Sequence, residues 1–204
     1  MTCTDFFRHA LRTLAEAVAR AGVSADLDRH PETITKTVRR RCLAKLRPLA
    51  IMIRRLITLI ALSVELAPFV PREGRNWFSD EAAAQTPRGY SFRLIPSVPG
   101  SPPETGKSVP GWPMPGPVPA APVIARWHAL LDALRHSRSR AERLARTLQR
   151  QRAAGLARPY VLPMAKTHRM PPQLGLMAGA LTVRLRAAFA DWPAGLPEAG
   201  ADTS

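Results

Sequence analysis

The run Cys42–Leu66, CLAKLRPLAIMIRRLITLIALSVEL, is the most apolar part of a chain otherwise rich in arginine and proline, and any fold has to cover it. Read at helical period it carries a seam: Leu43, Leu46, Ala50, Ile53, Ile57, Ile60 and Val64, alternating steps of three and four. At about 100° per residue, Arg47, Arg54, Thr58 and Glu65 share one narrow strip, with Arg55 at its margin. Nearly everything else is apolar, so the arc is wider than the ~100° stripe of a surface helix. Such a helix belongs at the centre of a bundle or against lipid. The longest uncharged stretch, Leu56 to Val64, is nine residues, short of the ~20 that a bilayer span needs. Arg54, Arg55 and Glu65 flank it, and each opposes insertion. A buried core helix is therefore the expectation, ahead of an interfacial helix and a spanning one. Pro48 is expected to restart the helix and Pro68 to end it.

Around this stretch the pattern predicts four helices. Thr4 and Asp5 suit the cap of a first helix whose Phe7, Leu11, Leu14 and Val18 face inward, with Gly22 as its left-handed stop. Pro31-Glu32 suits the opening of the second, which runs through Arg39-Arg40-Arg41 into the apolar stretch. Pro122 opens the longest, about Val123 to Ala154, closed by Gly155. Trp127, Leu130, Leu131, Leu134, Ala141, Leu144, Ala145 and Leu148 form its inward face. A last helix begins near Pro172 and packs through Leu174, Ala178, Leu181, Leu185, Phe189 and Trp192.

Between the second and third helices, thirteen prolines in residues 68–122 forbid long helices and central strands. Two islands interrupt that region, Trp77-Phe78 and the alternating Tyr90–Ile95. The second is expected to fold back over the chain's own core; for the first, self-packing and partner docking stand level. The fold class is thus all-α, a small bundle of about four helices interrupted by a long Pro-rich linker. Its parts are an N-terminal helical pair (1–67), the linker (68–121), a basic C-terminal segment packing on the N-terminal half (122–192) and a mobile tail (193–204).

The net charge is +15, and arginine supplies 26 of the 30 basic residues. Arginine is the better planar, bidentate binder of phosphate, but a GC-rich genome, which enriches arginine, alanine and proline together, is the favoured origin of the bias; the charge is present either way. Between Pro122 and Trp192 thirteen basic residues face three acids, while residues 1–67 carry twelve against six, so the charge resides on the helices. An anionic partner is favoured. On the third helix Arg135, Arg140, Arg143, Arg146 and Arg150 are the candidate anion-binding residues, weighed level with a solubilising face held by pairs such as Glu142 with Arg138 and Arg146.

Chemistry-bearing motifs are missing from the sequence. No phosphate-cradling GxxxxGK[ST], GxGxxG, GxSxG or HExxH is present. No catalytic residue, metal site or cofactor is assigned. His128, Asp132 and His136 share a face, but the outer two lie about 12 Å apart along a helix, so a solvated polar stripe is expected. His168 reads as incidental. Cys3 and Cys42 are too far apart in sequence to suggest a zinc site or disulfide framework, and Cys42 is expected to be buried and unreactive. Asp5 and Arg8 interrupt the N-terminus and no apolar signal region follows, so cytoplasm is the expectation, with a peripheral place at the inner membrane open to it. The function expected is that of a non-enzymatic basic helical adaptor, binding a protein partner or an anionic membrane surface. The alternative is a sequence-nonspecific nucleic-acid-binding protein. No family signature is legible.

Overall fold

In the computed structural model, residues 3–66, 92, 94, 116–164, 167 and 170–192 are described, and they are predominantly α-helical. Five helices occur among them: α1 (Cys3–Val23), α2 (Lys36–Ser63), α3 (Ala121–Arg135), α4 (Ser137–Ala153) and α5 (Pro172–Ala188). The apolar stretch lies in α2, which packs against all four others. Leu46, Ala50, Met52, Ile53, Leu56 and Ile57 are fully buried along it. A wide apolar arc demands this: at about 25 cal/mol per Å², such a helix gains most when its neighbours surround it.

No described helix is long and apolar enough to cross a membrane. Thr35 caps α2, its hydroxyl accepting from the Val38 N–H at 3.2 Å. Pro48 does not restart the helix but sits within it, and α2 ends at Ser63 rather than at Pro68. Pro31-Glu32 opens no helix either. Thr33-Ile34 (β1) instead pairs antiparallel with Val118-Pro119 (β2), and Ala120 N–H donates to the Glu32 carbonyl at 3.0 Å. Two such short segments carry no alternating pattern long enough to mark a strand.

On α1 the inward seam is Phe6, Ala10, Leu14 and Val18, a straight i, i+4 row, leaving Phe7 and Leu11 half-buried. The expected row chose the larger side chains; the fold chose Ala10, because a small residue allows close approach. Gly22 is likewise no left-handed stop. It lies inside α1 under the Trp127 ring, and the left-handed positions of the following turn fall to Asp26 and His30.

The expected long third helix is two, α3 and α4, parted at His136 (φ −101°, ψ 24°). Hydrogen bonding carries across the break, with His136 N–H to Asp132 O and Arg140 N–H to His136 O, both at 3.0 Å. The buried seam therefore runs on through Trp127, Leu130, Leu134, Ser137, Ala141, Leu144 and Leu148. Gly155, at φ +65°, ends α4 as expected: its N–H bonds Arg152 O and that of Leu156 bonds Gln151 O, a Schellman closure.

Side chains join the chain's two halves. Trp127 Nε1–H donates to Val18 O at 2.9 Å, and the Arg184 guanidinium lies 4.3 Å from the Phe6 ring centre. Phe92, from the second island, is buried; its ring lies 4.7 Å from the Arg54 guanidinium carbon. Trp77-Phe78, the greater part of the expected linker and the expected tail at 193–204 lie outside the described residues.

Candidate anion-binding surface

The candidate face is built on α4, whose sequence SRSRAERLARTLQRQRA is dominated by good helix formers. Ala141, Leu144, Ala145 and Leu148 are buried. Arg143, Arg146 and Arg150 fall within about 60° of arc on the opposite side and span about 10 Å along the axis. All three are exposed, as is Arg135 at the end of α3. Arg143 Nε donates to the Ser139 carbonyl at 3.3 Å, which steers its side chain along the helix without neutralising it.

Acids do little to cancel this charge. Glu142 pairs with Arg138 at 3.2 Å, leaving no pair with Arg146. Among the described residues, neither Arg135, Arg143 nor Arg146 makes an ion pair.

Arg140 stands apart from the other four expected residues. Its side chain is only 23% exposed, Nη2 donates to Asp132 Oδ2 at 2.6 Å, and Nη1 donates to the Phe92 carbonyl at 3.5 Å. Its charge is answered within the fold, where it ties α4 to α3 and to Phe92. Asp132 also holds His136, Nδ1 to Oδ1 at 2.9 Å. The Arg140 hydrogen bond, helped by the charges of His136 and Arg140, keeps the Asp132 carboxyl below its ordinary range. Of the polar stripe, His128 is taken up by ring contacts, 5.0 Å from Trp127 and 5.5 Å from His30. Among the described residues no group of three His, Cys, Asp or Glu is placed to hold a metal ion.

A second cationic feature was not legible in the sequence. Arg55 is 6% exposed, although a helical wheel puts it at the edge of the polar strip. Its Nη1 donates to Thr182 Oγ1 at 2.6 Å and its Nη2 to the Leu162 carbonyl at 2.8 Å, while Nε is sealed in without a partner among the described residues. The one sequence signal was two adjacent arginines inside a strongly apolar run. At about 100° per residue the two cannot share one narrow strip, but the spacing alone does not say that Arg55 is covered. Arg55 lines a cavity of about 520 Å³ together with Arg158, Tyr160, Thr182, Arg186 and Phe189. A larger cavity of about 680 Å³ lies among α1, α2 and the start of α5, but its cations are already engaged: Arg20 with Glu16, and Lys45 with Ser24. No protein-family model, curated protein or solved structure matches this chain.

Proposed function

We propose that this protein is a non-enzymatic, basic helical adaptor that uses the outer face of α4 to engage an anionic protein or membrane surface from the cytoplasmic side. The observation that carries the reading is the alignment of Arg143 and Arg146, exposed and free of ion pairs among the described residues, beside Arg135 and Arg150. Exposed guanidinium groups on a rigid helix attract anions over a Debye length of about 8 Å at physiological salt. In this reading α3 and α4 act as one long element of a four-helix bundle, and Arg140 holds that element straight. The same face would also grip a phosphodiester backbone, and the preference for arginine over lysine favours that second reading. Bases would not be read, since the face offers no groove-entering pattern of side chains.

Comparing ligands at physiological salt tests the reading. Binding to vesicles containing anionic lipid, or to an acidic protein surface, is expected to persist where duplex DNA binds more weakly than about 10⁻⁵ M, inside the nonspecific range. Submicromolar, sequence-blind duplex binding under those conditions would put the nucleic-acid reading first.

A further inference from the structure

The cavity beside Arg55 is a different site from the α4 face. Its wall combines three arginines from three parts of the chain: Arg55 of α2, Arg158 after α4, and Arg186 of α5. Arg55 is 94% buried and donates to a hydroxyl and a carbonyl, and no carboxylate meets it among the described residues. Thr182 cannot supply a negative charge. Its own proton goes to Ala178 O at 2.7 Å, leaving the oxygen as a neutral acceptor. Burial pulls the Arg55 pKa down, yet a guanidinium starts so high that it stays protonated at neutral pH. A charge taken out of water without a counter-ion is strongly disfavoured. Arg158 and Arg186 are exposed on the rim, and neither has an ion pair among the described residues. Besides Tyr160, the remaining walls include Pro159, Val161, Leu185 and Phe189, apolar surfaces that would suit a carbon body but not a bare inorganic ion.

We propose that this cavity binds a small phosphate monoester through its anionic head, with Arg55, Arg158 and Arg186 around the phosphate and Leu185 and Phe189 against the attached group. Three guanidinium groups match a dianionic phosphate better than a singly charged carboxylate, because planar N–H forks pair with phosphate oxygens. The volume of about 520 Å³ suits an ester with a ring or short alkyl chain. Such a ligand would supply the counter-ion that Arg55 lacks among the described residues and would bridge α2, α5 and the segment after α4.

Calorimetric titration of the full chain with phenyl phosphate, inorganic phosphate and benzoate tests the assignment. Phenyl phosphate is expected to bind saturably and to raise the melting temperature. Inorganic phosphate, lacking the apolar body, and benzoate, lacking the second charge, should each bind roughly tenfold or more weakly. Arg55→Gln also removes two bonds that tie α2 to its neighbours, so the rim variants carry the test. Arg158→Gln and Arg186→Gln, both exposed, should each weaken phenyl phosphate by roughly tenfold at unchanged fold, whereas Arg143→Gln should not. Competition by vesicles containing phosphatidic acid would assign the ester to a lipid, and its absence to a soluble compound; both accord with the site. No saturable phenyl phosphate binding, as when a carboxylate of the chain itself already fills the pocket, overturns the proposal. So does binding that ignores both rim substitutions.

Discussion

The indole of Trp127 occupies the space in which a side chain at Gly22 would stand. A Cβ on Gly22 would fall 2.1 Å from Trp127 Cε2, while the ring's Nε1–H donates to the Val18 carbonyl one turn earlier at 2.9 Å. Together they fasten α3 to α1. Gly22→Ala therefore overpacks a site whose neighbour is a rigid ring rather than a flexible chain end. A loss of about 1–3 kcal/mol is expected, read as a melting temperature lowered by about 2–4 °C per kcal/mol in a chain of this size. In a Trp127→Phe background, which lacks the clashing ring atoms, the same change should be milder. An equal penalty in both backgrounds would sink this account.

Ile57 is fully buried on α2. Ile57→Asp places a carboxylate with no partner in the centre of the core, where burial of a lone charge is severely disfavoured. Loss of soluble protein is expected, whereas Ile57→Val should cost only about 0.5–1.5 kcal/mol. Normal yield and an unchanged melting curve for the aspartate variant would show that α2 is not the covered element.

The Asp132 carboxyl makes a pH-dependent contribution. Its folded-state pKa is depressed, chiefly by the Arg140 hydrogen bond. The stabilisation is thus fully present above the ordinary carboxylate range and is lost as pH falls through the lower folded-state value. With the side chain 49% exposed, solvent screening limits the effect to under about 1 kcal/mol. Asp132→Asn should melt slightly lower than wild type at neutral pH, with the gap closing as pH falls below the ordinary carboxylate range. A gap that persists in acid would point to packing instead.

Cys42 is buried with its thiol 4.0 Å from the Ala21 carbonyl, and desolvation raises its pKa, outweighing the opposing pull of Lys45. Cys3 is exposed. Under native conditions one thiol should react quickly with a maleimide and the second only on unfolding. Cys3→Ser should abolish the fast phase. A fast phase that survives would mean the start of α2 opens.

Any binding by the α4 face should respond to salt through its exposed arginines. Changing Arg143 and Arg146 to Gln should flatten the slope of log K against log salt by roughly one to two units for a nucleic-acid ligand, equally for unrelated sequences. For anionic vesicles the loss should be about 1 kcal/mol per residue. Arg140→Gln should instead lower the melting temperature, because its charge serves Asp132 and the Phe92 carbonyl. A salt slope unmoved by the double change would remove this face from the binding surface.

Periodicity was enough to place much of the helical core. The α2 seam, the inward row of α3 and α4, and the apolar side of α5 all follow from spacings of three and four, because each apolar face needs covering whatever covers it. Gly155 could be read locally too, since a left-handed residue after Ala154 needs only its own missing side chain. Distances through space could not be read that way. Gly22 looks like a helix stop until Trp127, more than a hundred residues later, settles on it. His136 lies mid-pattern, and its break from helical dihedrals leaves the apolar spacing unchanged. Arg140 looks like its exposed neighbours until Asp132 and Phe92 claim its guanidinium. Arg55 shows the limit most plainly: an angle on a wheel put it beside water, while α5 and the segment after α4 close over it and make it the wall of a cavity. Local sequence specified which faces needed partners, because burial of apolar area depends on composition along one helix. Only tertiary packing decided which charges were answered and which were left facing a pocket, because a counter-charge acts through space and not through sequence.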